Sequence, residues 1–162
     1  MQAQTHQFTY NVYPSATQLQ TADASLLQQA IAVCKTAYAP YSNFYVGAAA
    51  LLNNGAIVTG TNQENSSFPA GLCAERVLLA AVAALHPNAA IHTLAISYSS
   101  HLIQNNHPIS PCGVCRQSLA EYEERWQQPI RILLAGASGE VWEIPAAKLL
   151  LPFAFNGGFL KK

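Results

Sequence analysis

The sequence has few charged residues and no excess of either sign. Among its 162 residues, eight are lysine or arginine and eight are aspartate or glutamate, so the formal net charge is zero. Proteins that bind nucleic acid carry clustered positive charge. The basic residues here are scattered, apart from Lys161 and Lys162. We therefore expect no nucleic-acid partner.

Long apolar runs and leader-like features are also lacking. The longest strongly apolar run, from Val77 to Leu85, is far shorter than the ~20 residues of a membrane span, so we expect no membrane partner. The first residues have neither the positive region nor the apolar region of a secretory leader. Without an export signal, the four cysteines indicate metal ligands or free thiols rather than disulfides. The expected location is the cytoplasm.

The size and the apolar content indicate one domain that associates with copies of itself. A chain of 162 residues fits a single domain, which would bury roughly 70% of the surface of its unfolded chain. Apolar residues make up 51% of the sequence, which is high beside so few charges. Since one small domain has a limited interior, the surplus is expected at subunit interfaces.

Periodicity and turn signals predict helices that alternate with strands. Residues 1–21 are expected to form an N-terminal arm, in which Phe8 to Tyr13 fits an extended segment or an edge strand. Residues 22–162 are expected to form one domain. The predicted helices are 21–38, with Thr21 or Asp23 as N-cap, 73–85 and 112–125, and the predicted strands are 44–52, 56–62, 93–99, 131–135 and 141–144. This order predicts an α/β fold, a three-layer α/β/α domain around a mixed five-stranded sheet.

Two short motifs place three cysteines at the starts of predicted helices. Cys73 opens one helix, and the segment Pro111-Cys-Gly-Val-Cys-Arg116 opens another. The partial positive charge of a helix N-terminus favours thiolates, which bind zinc. A catalytic zinc site keeps three protein ligands and leaves its fourth position for water. We therefore predict a catalytic Zn²⁺ site formed by Cys73, Cys112 and Cys115.

Glu75 and two arginines lie next to these ligands in sequence. Glu75 follows Cys73 by two residues, so it projects from the first helical turn beside the metal. A carboxylate there can take the proton of a zinc-bound water and return it to a substrate nitrogen. The alternative is a solvent-facing glutamate stabilised by the helix dipole. Arg76 and Arg116 are expected to donate hydrogen bonds to cysteine sulfurs, with Arg76 the stronger candidate.

Together these motifs resemble the zinc-dependent cytidine deaminase family, specifically its small homotetrameric branch. Segments 41–48, 60–65 and 149–152 also match, so the resemblance covers roughly residues 22–155. It implies hydrolytic deamination of cytidine and 2′-deoxycytidine in pyrimidine salvage, with Zn²⁺ as cofactor and Glu75 as proton shuttle. The implied partners are a small-molecule nucleoside and the other subunits of a homotetramer.

The resemblance also implies roles for residues outside the metal motifs. Asn62 and Glu64 match the pair that binds the ribose hydroxyls. Phe44 matches an aromatic residue that packs on the substrate, and the backbone amide of Ala74 would meet the base carbonyl. Phe155 falls near the position at which the family inserts an aromatic residue into a neighbouring subunit's site.

Some observations leave alternatives open. Gln63 stands where the family usually has an aliphatic residue, and Phe68 stands where a tyrosine is common, so the hydroxyl of that tyrosine is lacking here. Another aminopyrimidine nucleoside, such as a blasticidin-type antibiotic, is an alternative substrate. A non-catalytic zinc module is the alternative from another class of protein. Such a module needs a fourth ligand, for which the candidates are His86, His92, His101 and His107.

Overall fold

The computed structural model of the chain describes residues 1–160, apart from the side chain of Phe159, so Lys161 and Lys162 lie outside the described residues. This part of the chain contains six strands and three α-helices, joined by loops and short 3₁₀ turns. In chain order they are β1 (Asn11–Tyr13), α1 (Thr21–Val33), β2 (Phe44–Leu52), β3 (Ile57–Thr61), α2 (Ala74–Leu85), β4 (Ile91–Ser100), α3 (Gly113–Trp126), β5 (Arg131–Ala135) and β6 (Val141–Ile144).

The strands form one mixed sheet in the order β1-β6-β5-β4-β2-β3. The β4–β5 pair is parallel, and the other neighbouring pairs are antiparallel. The predicted mixed α/β sheet is confirmed, but the count of five strands is wrong. The sixth strand is β1, which pairs with β6 and is held there by a 2.6 Å hydrogen bond from the Tyr13 hydroxyl to Glu143. β1 lies within Phe8 to Tyr13, the segment expected to be extended or an edge strand, but the sequence did not indicate that it joins this sheet.

Alternation along the strands produces two buried layers. Successive side chains of a strand point to opposite faces of the sheet. On one face Ala49, Ala95 and Leu133 pack in one cluster with residues of α1. On the other face Leu94 and Ile132 lie in a cluster with residues of α2 and with Leu119 of α3. The sheet therefore lies between α1 on one side and α2 and α3 on the other, which is the predicted three-layer arrangement.

A glycine on β3 allows α2 to approach the sheet closely. A Cβ atom at Gly60 would lie 2.6 Å from the carbonyl oxygen of Ala74 and 2.6 Å from the backbone nitrogen of Leu78. No side chain fits at that distance. Gly60 thus allows the first turn of α2, which follows Cys73 and includes Glu75, to rest directly on the sheet.

Helix α1 begins at Thr21 as predicted, but its N-cap and its C-terminal end differ from the prediction. Its N-cap is Gln20, which makes no capping bond through its side chain, and Asp23 instead pairs with Arg131. The helix ends at Val33 and is followed by a 3₁₀ turn. The chain then becomes extended because Tyr38 donates its backbone N–H to Asn62 and accepts that of Glu64, at 3.0 and 2.8 Å. Helices α2 and α3 begin within one residue of the predicted positions.

Within residues 1–160, no helix has both the length and the apolar character that crossing a membrane requires.

Candidate functional site

Three cysteines converge where α2 and α3 begin. Cys73 and Cys112 are the N-cap residues of α2 and α3, and Cys115 lies in the first turn of α3. The Sγ atom of Cys112 lies 3.7 Å from that of Cys73 and 3.5 Å from that of Cys115. All three sulfurs lie within 4.8 Å of one another, and no histidine or carboxylate of residues 1–160 joins the group. The structure brings the three predicted ligands together, and within residues 1–160 none of the four histidine candidates joins them.

The chemistry of this donor set fits Zn²⁺. Thiolates are preferred zinc ligands, and three of them leave one position of a tetrahedral ion open. The pKa of Cys73 is lowered to about 6, because the Cys115 and Cys112 thiols hydrogen-bond to its sulfur and Arg76 adds positive charge. The pKa of Cys115 is raised by its bond to Cys73 and by burial. The cluster therefore already favours a thiolate at Cys73.

Glu75 is a buried carboxyl beside this cluster. It is the second residue of α2, and only 5% of its surface is exposed. Burial raises the pKa of Glu75, and this effect outweighs the opposing interactions with its own backbone amide and the Cys115 thiol. A carboxyl whose pKa lies closer to neutrality is suited to accepting a proton and releasing it again.

A cavity of about 330 Å³ is lined by Glu75, Cys73 and Cys112. This volume is in the range of pockets that hold small organic ligands. One part of its wall is apolar and another part is polar. The lining residues are Val46, Asn62, Gln63, Glu64, Phe68, Gly71, Leu72, Cys73, Ala74, Glu75, Ile109, Ser110 and Cys112.

Asn62 and Glu64 belong to the polar wall, and both bond to one stretch of backbone before and within β2. The Asn62 carboxamide donates to the carbonyl of Phe44 at 2.8 Å and accepts from the amide of Val46 at 2.7 Å. Glu64 accepts the backbone N–H of Tyr41 through Oε2 at 2.8 Å. The side-chain carboxamide nitrogen of asparagine has two protons, and a carboxylate has two oxygens. Each side chain therefore keeps hydrogen-bonding capacity for a ligand.

Phe44 and Ala74, the other two predicted substrate contacts, occupy different surroundings. Ala74 is fully buried and lines the cavity as the first residue of α2, where backbone N–H groups have no partner within the helix. Phe44 is not among the residues that line the cavity. Its ring stacks on Tyr98 with centroids 5.0 Å apart and an interplanar angle of 11°.

The two arginines behave differently from the sequence-based expectation. Arg116 donates to the carbonyl oxygens of Pro111 at 2.8 Å and Leu150 at 3.1 Å. The expected bond from Arg116 to a cysteine sulfur is therefore wrong, because the guanidinium instead ties the loop before Cys112 to the C-terminal segment. Arg76 acts on Cys73 through its charge. Within the described residues, no hydrogen bond joins Arg76 to a sulfur of the three clustered cysteines.

Phe155 lies outside the cavity of its own chain, and 64% of its surface is exposed. Its backbone is fixed by Gln117 of α3. The Gln117 carboxamide donates to the Phe155 carbonyl at 2.6 Å and accepts from the Phe155 amide at 3.1 Å. The tail is therefore anchored to the helix that carries Cys115, while the Phe155 ring remains accessible.

Part of the cavity wall was not identified from the sequence. Leu72, Ile109 and Ser110 line the cavity but belong to no predicted role. All three lie within three residues before a cysteine that caps a helix. Their position was a usable signal, because a chain that enters a ligand-bearing helix must pass the site. Val46 carried no such signal, since it lies within β2, far from the cysteines in sequence.

Comparisons with known proteins agree with this geometry. The family described as cytidine and deoxycytidylate deaminase zinc-binding region matches residues 20–127. A cytidine deaminase of Halalkalibacterium halodurans is 35% identical over 131 residues, which cover 81% of this chain and 92% of that protein.

Solved structures show the same relationship. The cytidine deaminase of Burkholderia pseudomallei has a TM-score of 0.71 and 34% identity, covering 85% of this chain and all of that one (100%). The cytidine deaminase of Mycobacterium tuberculosis has a TM-score of 0.63 and 31% identity, covering 84% and 98%. The chain therefore belongs to the cytidine and deoxycytidylate deaminase family, and it is a hydrolytic enzyme that depends on Zn²⁺.

Proposed function

We propose that the protein converts cytidine and 2′-deoxycytidine to uridine and 2′-deoxyuridine, as a step of pyrimidine salvage. The observation that carries this proposal is that the buried carboxyl of Glu75 and the sulfurs of Cys73 and Cys112 border one cavity. That cavity also presents Asn62 and Glu64, whose polar groups suit the hydroxyls of a sugar.

Glu75 moves the protons of the reaction. When bound by Cys73, Cys112 and Cys115, Zn²⁺ supplies a Lewis acid that activates water. Glu75 accepts a proton from the attacking water and delivers it to N3 of the base as the oxygen adds to C4. It then passes the second proton of that water to the departing amine, so ammonia leaves and Glu75 regains its starting state. The raised pKa of Glu75 suits it to both roles.

The polar wall selects a nucleoside. Asn62 and Glu64 bind the ribose hydroxyls, and the Ala74 amide donates to the carbonyl of the base. The pKa of Glu64 is lowered: burial raises it, but the Ser42 side chain and the amides of Tyr41 and Ser42 outweigh burial. Glu64 is thus ionised at neutral pH and would repel a nearby phosphate. Packing of Phe44 against the substrate stays a prediction.

Exposed aromatic residues support assembly into a homotetramer. Exposed surface fractions are 75% for Phe68, 93% for Phe153 and 64% for Phe155. Their burial between subunits would be favourable, and Phe155 would then enter a neighbouring subunit's cavity.

We place the catalytic unit in residues 22–162 and regard residues 1–21 as its arm. The four free cysteines fit a reducing compartment such as the cytoplasm.

Substitution of Glu75 tests the proposal. Zinc-loaded Glu75→Gln should release ammonia from cytidine at least about 100-fold more slowly than the wild type while keeping its zinc. Glu124→Gln changes an exposed carboxyl on α3 and is the matched control, with turnover unchanged. Unchanged turnover in Glu75→Gln would contradict the assigned role. A zinc-loaded wild type that is inactive on cytidine would favour a non-catalytic module, and faster turnover of a blasticidin-type substrate would favour the other nucleoside.

A further inference from the structure

The carboxylate of Glu64 is held by a tight turn that precedes β2. Its Oε2 atom accepts the backbone N–H of Tyr41 at 2.8 Å and that of Ser42 at 3.3 Å. The turn is closed by the Asn43 amide, which donates to the carbonyl of Ala39 at 3.0 Å. Two consecutive amides therefore converge on one carboxylate oxygen, which leaves the other oxygen of Glu64 for a ligand.

Asn43 gives this turn its shape through its backbone. Its φ of 53° lies in the left-handed region, and only one other non-glycine residue in the described chain, Gln127 with φ 49°, has a positive φ. Asparagine enters this region more readily than other residues with a Cβ atom, and glycine enters it freely. The Asn43 side chain is exposed and makes no hydrogen bond to the rest of residues 1–160. The conformation of residue 43, rather than its side chain, is what the turn uses.

The turn leads directly into the part of β2 that Asn62 holds. Phe44 follows Asn43, and its carbonyl accepts from the Asn62 carboxamide at 2.8 Å. The amide of Phe44 donates to the Ser42 hydroxyl at 3.1 Å. Asn62 and Glu64 are thus both bonded to residues 41–46, and Asn43 is the point at which this segment changes from turn to strand.

We propose that Asn43 is a positioning residue, whose left-handed backbone aims the amides of Tyr41 and Ser42 at Glu64 and so fixes the carboxylate that binds the sugar hydroxyl. The inference rests on the proposed role of Glu64. A residue that resists the left-handed conformation would shift the turn and move both donors. Glu64 would then lose its orientation, and affinity for the sugar would fall while the metal and Glu75 stay in place.

The test compares Asn43→Ala, Asn43→Gly and Gln127→Ala in the zinc-loaded protein, with cytidine and 2′,3′-dideoxycytidine as substrates. Asn43→Ala should raise the KM for cytidine about tenfold, because alanine disfavours the left-handed region. Its kcat should change little, and the KM for the dideoxy substrate, which lacks the hydroxyls, should stay the same. Asn43→Gly should have the KM of the wild type, because glycine adopts the left-handed conformation freely. Gln127→Ala truncates the other non-glycine residue with a positive φ, at the end of α3, and should leave KM unchanged.

Equal KM increases for both substrates, a wild-type KM in Asn43→Ala, or no recovery in Asn43→Gly would overturn the proposal. A second readout does not require turnover: the Glu64 pKa, measured by NMR on protein with ¹³C-labelled glutamate. It should rise in Asn43→Ala and return in Asn43→Gly, because the amides of the turn help to lower it. An unchanged pKa in Asn43→Ala would overturn the positioning role. A wild type inactive on cytidine would refute the proposed function alone, and the NMR result would then decide the role of Asn43.

Discussion

The Sγ atom of Cys73 lies 3.7 Å from that of Cys112, although the two residues are 39 positions apart in the chain. The contact joins the N-cap of α2 to the N-cap of α3. Since the two helices enter the site from different strands, the metal site depends on how both pack against the sheet.

Removal of one cysteine should abolish zinc retention selectively. Cys112→Ala leaves two thiols at the metal site. Loss of a direct ligand should weaken zinc binding by more than the 10- to 100-fold typical of residues that only hydrogen-bond to a ligand. Cys34→Ala is the control, because Cys34 is buried elsewhere and donates to the carbonyl of Ala30 at 3.4 Å. Metal analysis after dialysis checks both variants. Zinc loss in Cys34→Ala, or full zinc content in Cys112→Ala, would contradict the assigned ligand set.

A methyl group on β3 should disturb the metal site by displacing α2. Gly60→Ala places a Cβ atom 2.6 Å from backbone atoms of α2, so the helix must move outward and carry Cys73 with it. We expect the free energy of unfolding to fall by about 1–3 kcal/mol, as for other overpacked sites, together with weaker zinc binding. Gly113→Ala adds the same methyl where nothing lies within 4 Å, and its stability should not fall. Urea unfolding and zinc titration measure the two effects, and equal behaviour of the two variants would refute the explanation.

The sequence was most informative where one local pattern determined the structure. The starts of α2 and α3 and the strands at 131–135 and 141–144 follow from apolar periodicity and turn residues, and the spacing of the cysteines indicated their convergence. Glu75 was predictable for the same reason, because its distance from Cys73 along one helical turn fixes where it lies.

Features that depend on distant partners could not be predicted. Asp23 looked like a helix N-cap, but Arg131 on β5 binds its carboxylate. Arg116 finds its second acceptor at Leu150, 34 positions away. The segment of β1 was expected to be extended or an edge strand, but its pairing with β6 was not predictable from the sequence. In each case a charge or a backbone group is satisfied by a residue that only the folded chain brings near.

Glu123 should be important for stability. It is 5% exposed, and its Oε1 atom accepts the amides of Ile130 and Ala147, both at 2.7 Å, while Oε2 accepts that of Lys148 at 3.0 Å. Glu123→Gln puts an NH₂ group against a backbone donor, so unfolding free energy should fall by about 1–3 kcal/mol. The neighbouring exposed residue provides the control Glu124→Gln, whose denaturation curve should match that of the wild type. Equal curves for all three proteins would show that the three bonds add no stability.

Glu143 should make stability depend on pH. Burial raises its pKa, but hydrogen bonds from Tyr13 and Arg131, together with the charge of Arg131, outweigh burial and hold the pKa below its ordinary value. A lowered pKa in the folded state stabilises the protein above the unfolded value of about 4.3, and this contribution is lost as the pH falls through the folded pKa.

Glu143→Gln should therefore be less stable than the wild type at pH 7, and the difference should shrink as the pH falls below about 4. Urea denaturation across this pH range measures it. Exposed Glu121→Gln should change the unfolding free energy at pH 7 by less than about 0.5 kcal/mol. A difference for Glu143→Gln that grows on acidification would show that the sign is wrong.

The coordination of the metal tests the central claim most directly. X-ray absorption at the zinc edge of the loaded protein should show three sulfur neighbours at about 2.3 Å and one oxygen or nitrogen neighbour at about 2.0 Å. A fourth protein ligand in the open position would appear as a fourth sulfur neighbour, or as a histidine signature that stays when substrate is added. Either spectrum would contradict an enzyme built on Cys73, Cys112 and Cys115.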